Sequence, residues 1–419
     1  MPLDNKTLSV IIPALDEQKG IVQIIKRVRA VRSRLRAEGI GLEIIVVDDG
    51  SRDKTALLAA QCPDTRVVRH LVNRGYGAAL KTGFRHATGE LLAFIDADGT
   101  YPPESLPEFC AALDAHNADI VVGSRMSGAT SEMPLTRRVG NFAFARMLSL
   151  LSGVRVQDTA SGMRVFRKSA LPRLYPLPNG LDFTPAMTTR ALHENLKIIE
   201  VPIAYSERIG RSKLSVVRDG MRFTNTMVWT TMTYNPVRLW GALGLAMSGV
   251  AAILAIVLLL DWLTGNALLK ALTPFAAFAL LVFGVLGAGV FSFGVMFSYV
   301  VALFTHQPVR RGMFGRVLFD PPLDYYFGRI GVIAACVGIL VSLIVLGLIV
   351  QGWSLTQLWF WLLLSALLIV VGVELGMAYL VIRVLDELAQ REASAQRDLV
   401  EPEETIPVAE IVEVGVKAQ

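Results

Sequence analysis

The sequence predicts an α/β domain on a mostly parallel, two-sided sheet, followed by an all-α membrane domain of four helices. Two observations carry this. Residues 1–235 mix charged and apolar residues and alternate short Val/Ile-rich runs with amphipathic stretches, whereas 241–260, 271–305 and 330–373 contain no Asp, Glu, Lys or Arg. With 53% apolar residues and a mean hydropathy of +0.48, the 419-residue chain is too hydrophobic for a wholly water-soluble protein of its size.

In the N-terminal part the strand candidates are Leu8–Pro13, Glu43–Asp48, Arg66–His70, Leu91–Asp96, Asp119–Gly123 and Ile198–Ala204. Between them, 18–38, 53–61, 76–88 and 103–116 read as helices. Such alternation implies right-handed βαβ units. In an open sheet of this kind, ligands bind beyond the carboxyl ends of the strands. Asp16 and Glu17, Asp48 and Asp49, Asp96 and Asp98, and Ser124 and Arg125 all fall at such ends. Asp96-Ala97-Asp98 closes an apolar strand where two carboxylates can hold a divalent cation against a diphosphate. Asp-x-Asp alone is weak, since ordinary Asp usage gives about one by chance in a chain this long. Its placement beside the other strand ends strengthens it.

The Gly-rich run 73–83 fails as a P-loop, because Leu80 and not Gly precedes Lys81-Thr82, and its third glycine is misplaced for a dinucleotide fingerprint. It reads either as part of a binding site or as small residues that let a helix start pack closely. In Asp48-Asp49-Gly50-Ser51-Arg52-Asp53, Ser51 or Asp53 could cap the next helix. Two adjacent carboxylates are costly as mere caps, because like charges repel. A nucleoside would give at least one of them a partner.

A spanning helix needs about 20 apolar residues, which gives spans at 241–260, within 271–305, at 329–350 and at 357–382, the last two forming a hairpin around Gln351-Gly352-Trp353-Ser354. Arg310, Arg311, Arg316 and Arg329 crowd the middle loop, while the other two loops offer only Lys270. The expected arrangement is an integral membrane protein with its N-terminal domain, middle loop and C-terminal tail cytoplasmic. No signal peptide is expected, since Met1 to Lys6 lead directly into a strand-like run. The expected division is 1–212, a juxtamembrane segment 213–236, a membrane domain 237–383, and a solvated, disordered tail 384–419 that is rich in Glu. Residues 213–235 read as an interfacial amphipathic helix or as a packed linker helix. Glu374, inside the fourth span, needs a partner or a polar path.

Cys62, Cys110 and Cys336 lack metal or disulfide spacing. A net charge of +5 suits an anionic membrane surface or phosphate ligands. Nucleic acid is not expected, since no Lys/Arg-rich cluster with interleaved aromatics occurs.

Taken in order, Pro13-x-x-x-Glu17, Val47-Asp48-Asp49-Gly50-Ser51, Asn73-x-Gly75-x-Gly77-Ala78, Asp96-Ala97-Asp98, Gly123-Ser124-Arg125, Asp158-x-x-Ser161-Gly162-x-Arg164 and Arg208-x-Gly210-x-Ser212-Lys213 resemble glycosyltransferase family 2. Within it, the polyprenyl-phosphate glycosyltransferases of the dolichol-phosphate mannose synthase type are most similar. The resemblance covers residues 8 to about 215. It implies a GT-A, Rossmann-like domain and inverting sugar transfer from a nucleotide-diphosphate sugar, GDP-mannose or UDP-glucose-like, to a polyprenyl phosphate such as a dolichyl or undecaprenyl one.

By the same resemblance Pro13, Leu15, Glu17, one or both of Asp48 and Asp49, Asp96, Ala97, Asp98, Arg208 and Lys213 would bind the donor. Asp96, Asp98 and Thr100 would take Mg²⁺ or Mn²⁺, and Arg125, Arg137, Arg138 and Arg164 would meet the acceptor phosphate. Asp98, Asp158 and Arg125 form the catalytic set, with Asp158 expected to orient arginines, because a phosphate monoester needs little help from a base near neutral pH. Asp16 replaces the usual Asn before Glu17, and Thr100 stands where some members place a Gln. The resemblance leaves room for a homo-oligomer. Two rivals are a processive polysaccharide synthase, for which the Gln-x-x-Arg-Trp motif is missing, and a non-catalytic nucleotide-sugar-sensing membrane protein.

Overall fold

The computed structural model describes residues 6–126, 133–206, 216–264, 273–305 and 323–400. It forms two compact units, Met1–Thr231 and Met232–Gln419. Among the described residues of the first, seven strands make one sheet: β1 (Lys6–Ala14), β2 (Ile40–Asp48), β3 (Thr65–Arg69), β4 (Leu91–Ile95), β5 (Ile120–Ser124), β6 (Met163–Arg167) and β7 (Ile198–Pro202), in the order β3-β2-β1-β4-β6-β5-β7. Only β6 runs antiparallel to its neighbours, β4 and β5. The six expected strands are present, and β6 is the strand fed by the turn at Asp158.

The helices of this unit are α1 (Ile21–Ala30), α2 (Arg32–Ala37), α3 (Thr55–Ala60), α4 (Tyr76–His86), α5 (Leu106–Ala115), α6 (Leu135–Ser152), α7 (Leu171–Leu174), α8 (Phe183–His193) and α9 (Val216–Met232). The single helix expected over 18–38 is divided at Val31 into α1 and α2. In α1, Ile21, Ile24, Ile25 and Val28 are buried, the i, i+3, i+4, i+7 stripe of a helix lying on a sheet. Central β4, Leu-Leu-Ala-Phe-Ile, is buried at every position, as a strand covered on both faces must be. Val10, Ile12, Ala93 and Ile95 enter one core. Ile11, Leu92 and Phe94 enter the other, where Phe94 packs with Phe84, Phe166 and Phe183.

Strand order reverses between β1 and β4. From β1 the chain first builds outward to β2 and β3, then returns to lay β4 on the opposite side of β1. The carboxyl ends of these two strands are the switch point, where side chains from both loops can meet a ligand in a natural crevice.

Among its described residues the second unit has four helices long and apolar enough to cross a membrane: α10 (Pro236–Thr264), α11 (Thr273–Thr305), α12 (Phe327–Val350), preceded by a short 3₁₀ turn, and α13 (Leu355–Val400). Small residues set the crossings, as in helices that pack in lipid. A side chain on Gly244 of α10 would strike the backbone of Gly287 and Phe291, and one on Gly338 of α12 would strike Ser365 and Ile369. Ser342 donates to Ser365 across the second pair at 2.9 Å. The tail departs from expectation, because α13 continues to Val400 where disorder was expected from 384. Its Glu, Ala, Gln, Leu and Arg content favours helix despite its polarity, and Gln390 bonds Asp386 one turn away at 3.0 Å.

Candidate active site

A cavity of about 480 Å³ opens at the carboxyl ends of the strands, within the size range of small-molecule sites. Pro13, Leu15 and Glu17 reach it from β1, Asp49 from β2, Asp96, Ala97 and Asp98 from β4, and Arg125 from β5. Thr136, Asn141 and Phe144 of α6 and Arg222 and Phe223 of α9 form another side, on which two aromatic rings sit among polar groups.

Each carboxylate of Asp96-Ala97-Asp98 is aimed by a neutral hydroxyl. Tyr76 donates to Asp96 Oδ1 at 2.8 Å, and Thr100 donates to Asp98 Oδ1 through its hydroxyl at 2.7 Å and its amide at 3.1 Å. Burial, with the Asp96 charge, raises the Tyr76 pKa well above its ordinary value, so Tyr76 stays a donor. Gly162 lies against Asp96, and a Cβ there would overlap the carboxylate. Its amide donates to the Tyr101 hydroxyl at 2.7 Å, which fixes the segment beside the acid. Two carboxylates on one cavity wall are the hard oxygen donors that suit Mg²⁺ or Mn²⁺. The residues present therefore fit such an ion. Among the described residues no cluster of three or more acidic, His or Cys side chains adds further ligands.

Thr100 itself is not placed as a metal ligand. It is 1% exposed and off the cavity wall, its hydroxyl turned back onto Asp98 because the loop folds over after Gly99.

Arg125 is held by Asp158. Its amide and Nε donate to Asp158 Oδ2 at 3.0 and 2.7 Å, and Nη2 donates to Oδ1 at 2.7 Å. Burial alone would raise the Asp158 pKa, but the Arg125 charge and these hydrogen bonds outweigh it and hold the carboxyl below its usual range. Burial likewise works against the Arg125 charge, and Asp158 raises its pKa above the ordinary value. The guanidinium also lies 5.6 Å from the ring centre of Tyr205. The amides of Gln157 and Asp158 bond Glu200 on β7 at 2.8 and 3.2 Å, which anchors the Asp158 turn. Asp158 is fully buried and off the cavity wall, with its carboxylate taken up by Arg125.

Arg164 is a second correction. It is fully buried, donating to the carbonyls of Ser161, Thr159 and Thr184, with its guanidinium 6.0 Å from the Phe94 ring centre. Burial pushes its pKa down to about 10, which leaves it charged at neutral pH. It braces the β6 turn and is not presented to a ligand. Arg138 is exposed on α6 but off the cavity wall. Arg137 lies on α6 with its side chain outside the described residues, as are Arg208 and Lys213 altogether.

Asp48 and Asp49 separate sharply. Asp48 is buried beneath Arg69, 3.0 Å away, and accepts the Ser51 amide at 3.3 Å, so it shapes the turn and does not line the cavity. Asp49 lines it, and accepts from the amides of Arg74 and Gly75 at 2.9 and 2.8 Å and from His70 at 2.7 Å. Those bonds form the Gly-rich turn. Gly75 has φ +102°, and a side chain on it would meet the Asn179 carbonyl, just as one on Gly77 would meet that of Pro178. The Lys81 amine bonds the Leu177 carbonyl at 2.8 Å. The glycines thus serve close packing, while Gly75 and Tyr76 also border the cavity. Asp16 has φ 50°, and its carboxylate accepts from the Arg52 amide at 2.8 Å.

Tyr76, Tyr101 and Tyr205 were not singled out from the sequence, and Arg222 was read there only as a cation of the juxtamembrane segment. Tyr76 sits inside the Gly-rich run and could have been noticed there. Tyr101 and Tyr205 meet edge to face at 5.5 Å from strand ends far apart in the chain, which no local pattern signals.

Residues 9–174 match the profile of Glycosyl transferase family 2, and residues 236–396 match a domain of unknown function, DUF8752. The chain is 34% identical over 255 residues, 60% of its length, to the low-salt glycan biosynthesis hexosyltransferase Agl6 of Haloferax volcanii; the match spans 59% of that relative. Among solved structures it is similar to glucosyl-3-phosphoglycerate synthase from Mycobacterium tuberculosis in complex with Mn²⁺, uridine diphosphate and glucosyl-3-phosphoglycerate, with a TM-score of 0.45 and 22% identity over 54% of this chain and 80% of that one. It is also similar to residues 1–349 of TarS from S. aureus in complex with UDP-GlcNAc, with a TM-score of 0.40 and 18% identity over 72% of this chain and 86% of that one.

Proposed function

We propose that this chain, whose residues 9–174 are a glycosyl transferase family 2 domain on a GT-A-like sheet, transfers a hexose from a nucleoside-diphosphate sugar to the phosphate of a polyprenyl lipid, with inversion, at the cytoplasmic face of a membrane. The observation that carries the reading is one cavity bordered both by the carboxylates of Asp96 and Asp98 and by the braced guanidinium of Arg125. The four apolar helices support a lipid acceptor, since a polyprenyl tail cannot leave the bilayer.

On this reading Pro13, Leu15 and Glu17 border the nucleoside, and Asp96 and Asp98 would hold Mg²⁺ or Mn²⁺, which supplies charge neutralisation for the departing diphosphate. Arg125, fixed by Asp158, orients the acceptor phosphate. One of its oxygens bonds the anomeric carbon as the bond from that carbon to the diphosphate oxygen breaks, and the nucleoside diphosphate leaves. The acceptor is already anionic, its second pKa being about 6, so no side chain must remove a proton. This agrees with Asp158 being consumed by Arg125. The low dielectric of the buried Arg125–Asp158 pair lets that orientation persist without solvent reorganisation.

The test is to incubate membranes containing the protein with a panel of labelled nucleotide sugars and a polyprenyl phosphate, and to extract the lipid. One donor should label the lipid fraction, and Asp98→Ala should abolish labelling while the protein remains folded. Sugar appearing only in soluble products, or undiminished turnover by Asp98→Ala, would overturn the reading.

A further inference from the structure

Helices α12 and α13 touch backbone to backbone at one level and part at the next. A Cβ on Gly331 of α12 would lie 2.6 Å from the Gly372 carbonyl oxygen and 2.9 Å from the Gly376 nitrogen of α13, the close approach that small residues give to helices packed in lipid. A Cβ on Gly376 itself would meet nothing within 4 Å. The space it faces is a groove of about 650 Å³ between the two helices. Val332 and Ile333 of α12 and Leu380 of α13 give it apolar walls, and at 62%, 63% and 65% exposed they open it outward, where a bilayer would lie.

The end at which α12 begins is polar. Arg329 borders the groove there with Tyr325 and Tyr379, and the Tyr379 ring lies against Gly328, where a Cβ would meet it at 2.8 Å. Arg383 follows Gly376, Tyr379 and Leu380 on the same stripe of α13, at spacings of seven, four and three residues. Both arginines are exposed, and among the described residues neither pairs with an acid. The acids closest to them in sequence are engaged elsewhere: Asp324 accepts from the Tyr299 hydroxyl, and Asp386 from Gln390 at 3.0 Å. The hydroxyls of Tyr325 and Tyr379 have no hydrogen-bond partner among the described residues.

A cation at a helix end needs no groove, and a groove filled by lipid tails needs no cation. Together they describe one ligand chemistry, an anionic phosphate that carries an acyl chain, because guanidinium groups match phosphate oxygens and basic pockets between spanning helices take anionic headgroups. We propose that the groove binds one anionic glycerophospholipid, with its phosphate between Arg329 and Arg383 and one acyl chain laid over Gly376 along Val332 and Ile333. This lipid fills the gap where the helices part and fastens α12 to α13. It is not the acceptor of the sugar. The proposal rests on the four helices lying in a bilayer and is independent of sugar transfer.

The test is native mass spectrometry of the full chain released from detergent micelles after titration with phosphatidylglycerol, phosphatidylcholine or a polyprenyl phosphate. One phosphatidylglycerol should be retained in preference to phosphatidylcholine. Arg329→Gln and Arg383→Gln should each weaken that retention by about fivefold, the effect of one arginine at an anionic lipid surface. Gly376→Leu leaves both cations in place, adds a Cβ that strikes no neighbour and replaces a poor helix former, so it should keep or raise thermal stability while phosphatidylglycerol is lost. Equal retention of the two phospholipids would overturn the proposal, as would retention unchanged by Gly376→Leu. Displacement of phosphatidylglycerol by an equal concentration of polyprenyl phosphate would also overturn it, by making the groove an acceptor site. The readout needs no turnover, so its failure is distinguishable from failure of the sugar-transfer reading.

Discussion

Replacing Asp158 by Asn separates an orienting carboxylate from a catalytic base. Asp158 accepts three hydrogen bonds from Arg125, two of them from the guanidinium at 2.7 Å. Its side chain is wholly buried, and that of Arg125 is 12% exposed. The asparagine keeps the volume and one acceptor oxygen, but it leaves a buried cation without its counter-charge and turns an amide NH₂ toward another donor. Breaking a buried pair from one side costs about 3–5 kcal/mol. At about 2–4 °C per kcal/mol for a domain of this size, the melting temperature of the first unit should fall by about 6–20 °C.

The kinetic signature is more discriminating. An Arg125 that wanders loses a charge-assisted bond to the acceptor phosphate, worth about 1.5–3 kcal/mol, or about 10–150-fold in KM for the lipid. Donor KM should change little, and the pH–rate profile should keep its shape. The linkage has a definite sign: the folded Asp158 pKa is depressed, so its stabilisation is present above the unfolded value of about 3.9 and is lost as pH falls through the folded one. Wild type and variant should therefore differ by a constant amount across neutral pH and converge only in acid. Lipid KM, kcat and thermal unfolding measured from pH 5 to 9 decide the matter. A fall in kcat of about 10²-fold or more with lipid KM unchanged, together with loss of the acidic limb, would make Asp158 a base and refute the orienting role.

Two further substitutions probe the carboxylate loop. Thr100→Val removes the hydroxyl on Asp98 at nearly constant volume, and should weaken Mn²⁺ affinity by about 10–100-fold, the usual effect of losing an outer-shell partner, as read by metal titration of donor binding. Unchanged affinity would return Thr100 to a purely structural position. Gly162→Ala drives a methyl into the Asp96 carboxylate, and should abolish metal-dependent donor binding with little change in thermal stability, measured by calorimetry. Normal donor binding by that variant would show that the placement of Asp96 against Gly162 does not matter to the site.

The centre of the sheet was legible because β1, β2, β4 and β5 carry continuous apolar runs, and β4 announces itself as central by having no polar position at all. Helices α6 and α8 were not legible. α8 carries Thr184, Pro185, Thr188 and Thr189 and is buried nearly all round, so it has neither good helix formers nor a polar face to set its period. α6 exposes Leu135, Val139, Phe142 and Leu150 while it buries Ala145 and Leu148, so no single apolar stripe marks its period. In the site, the positions after β1 and β4 could be read from strand ends alone. Assignments that depended on which way a side chain turns could not, as Asp48 and Asp49 illustrate. Adjacent residues leaving a strand point to opposite sides, so one went under Arg69 and the other to the cavity. Arg164 was misread for the related reason that an arginine near a phosphate motif looks the same whether it braces a turn or binds a ligand.

The three acids that mattered most in the sequence are chemically identical, and their surroundings divide them. A guanidinium donates in a fixed fork and cancels the charge it holds, so Asp158, saturated by Arg125, becomes a rigid mount for a cation. A hydroxyl fixes direction and leaves the charge in place. Tyr76 and Thr100 do this for Asp96 and Asp98, and burial keeps Tyr76 protonated so that the donor is not lost as pH rises. The same cavity thus holds an arginine made rigid by an acid and two acids aimed by alcohols. Exchanging the two kinds of partner would place a guanidinium on Asp96 or Asp98 and leave Arg125 unbraced. The donors to Asp158 and those to Asp96 and Asp98 thus differ in kind although the three acids do not.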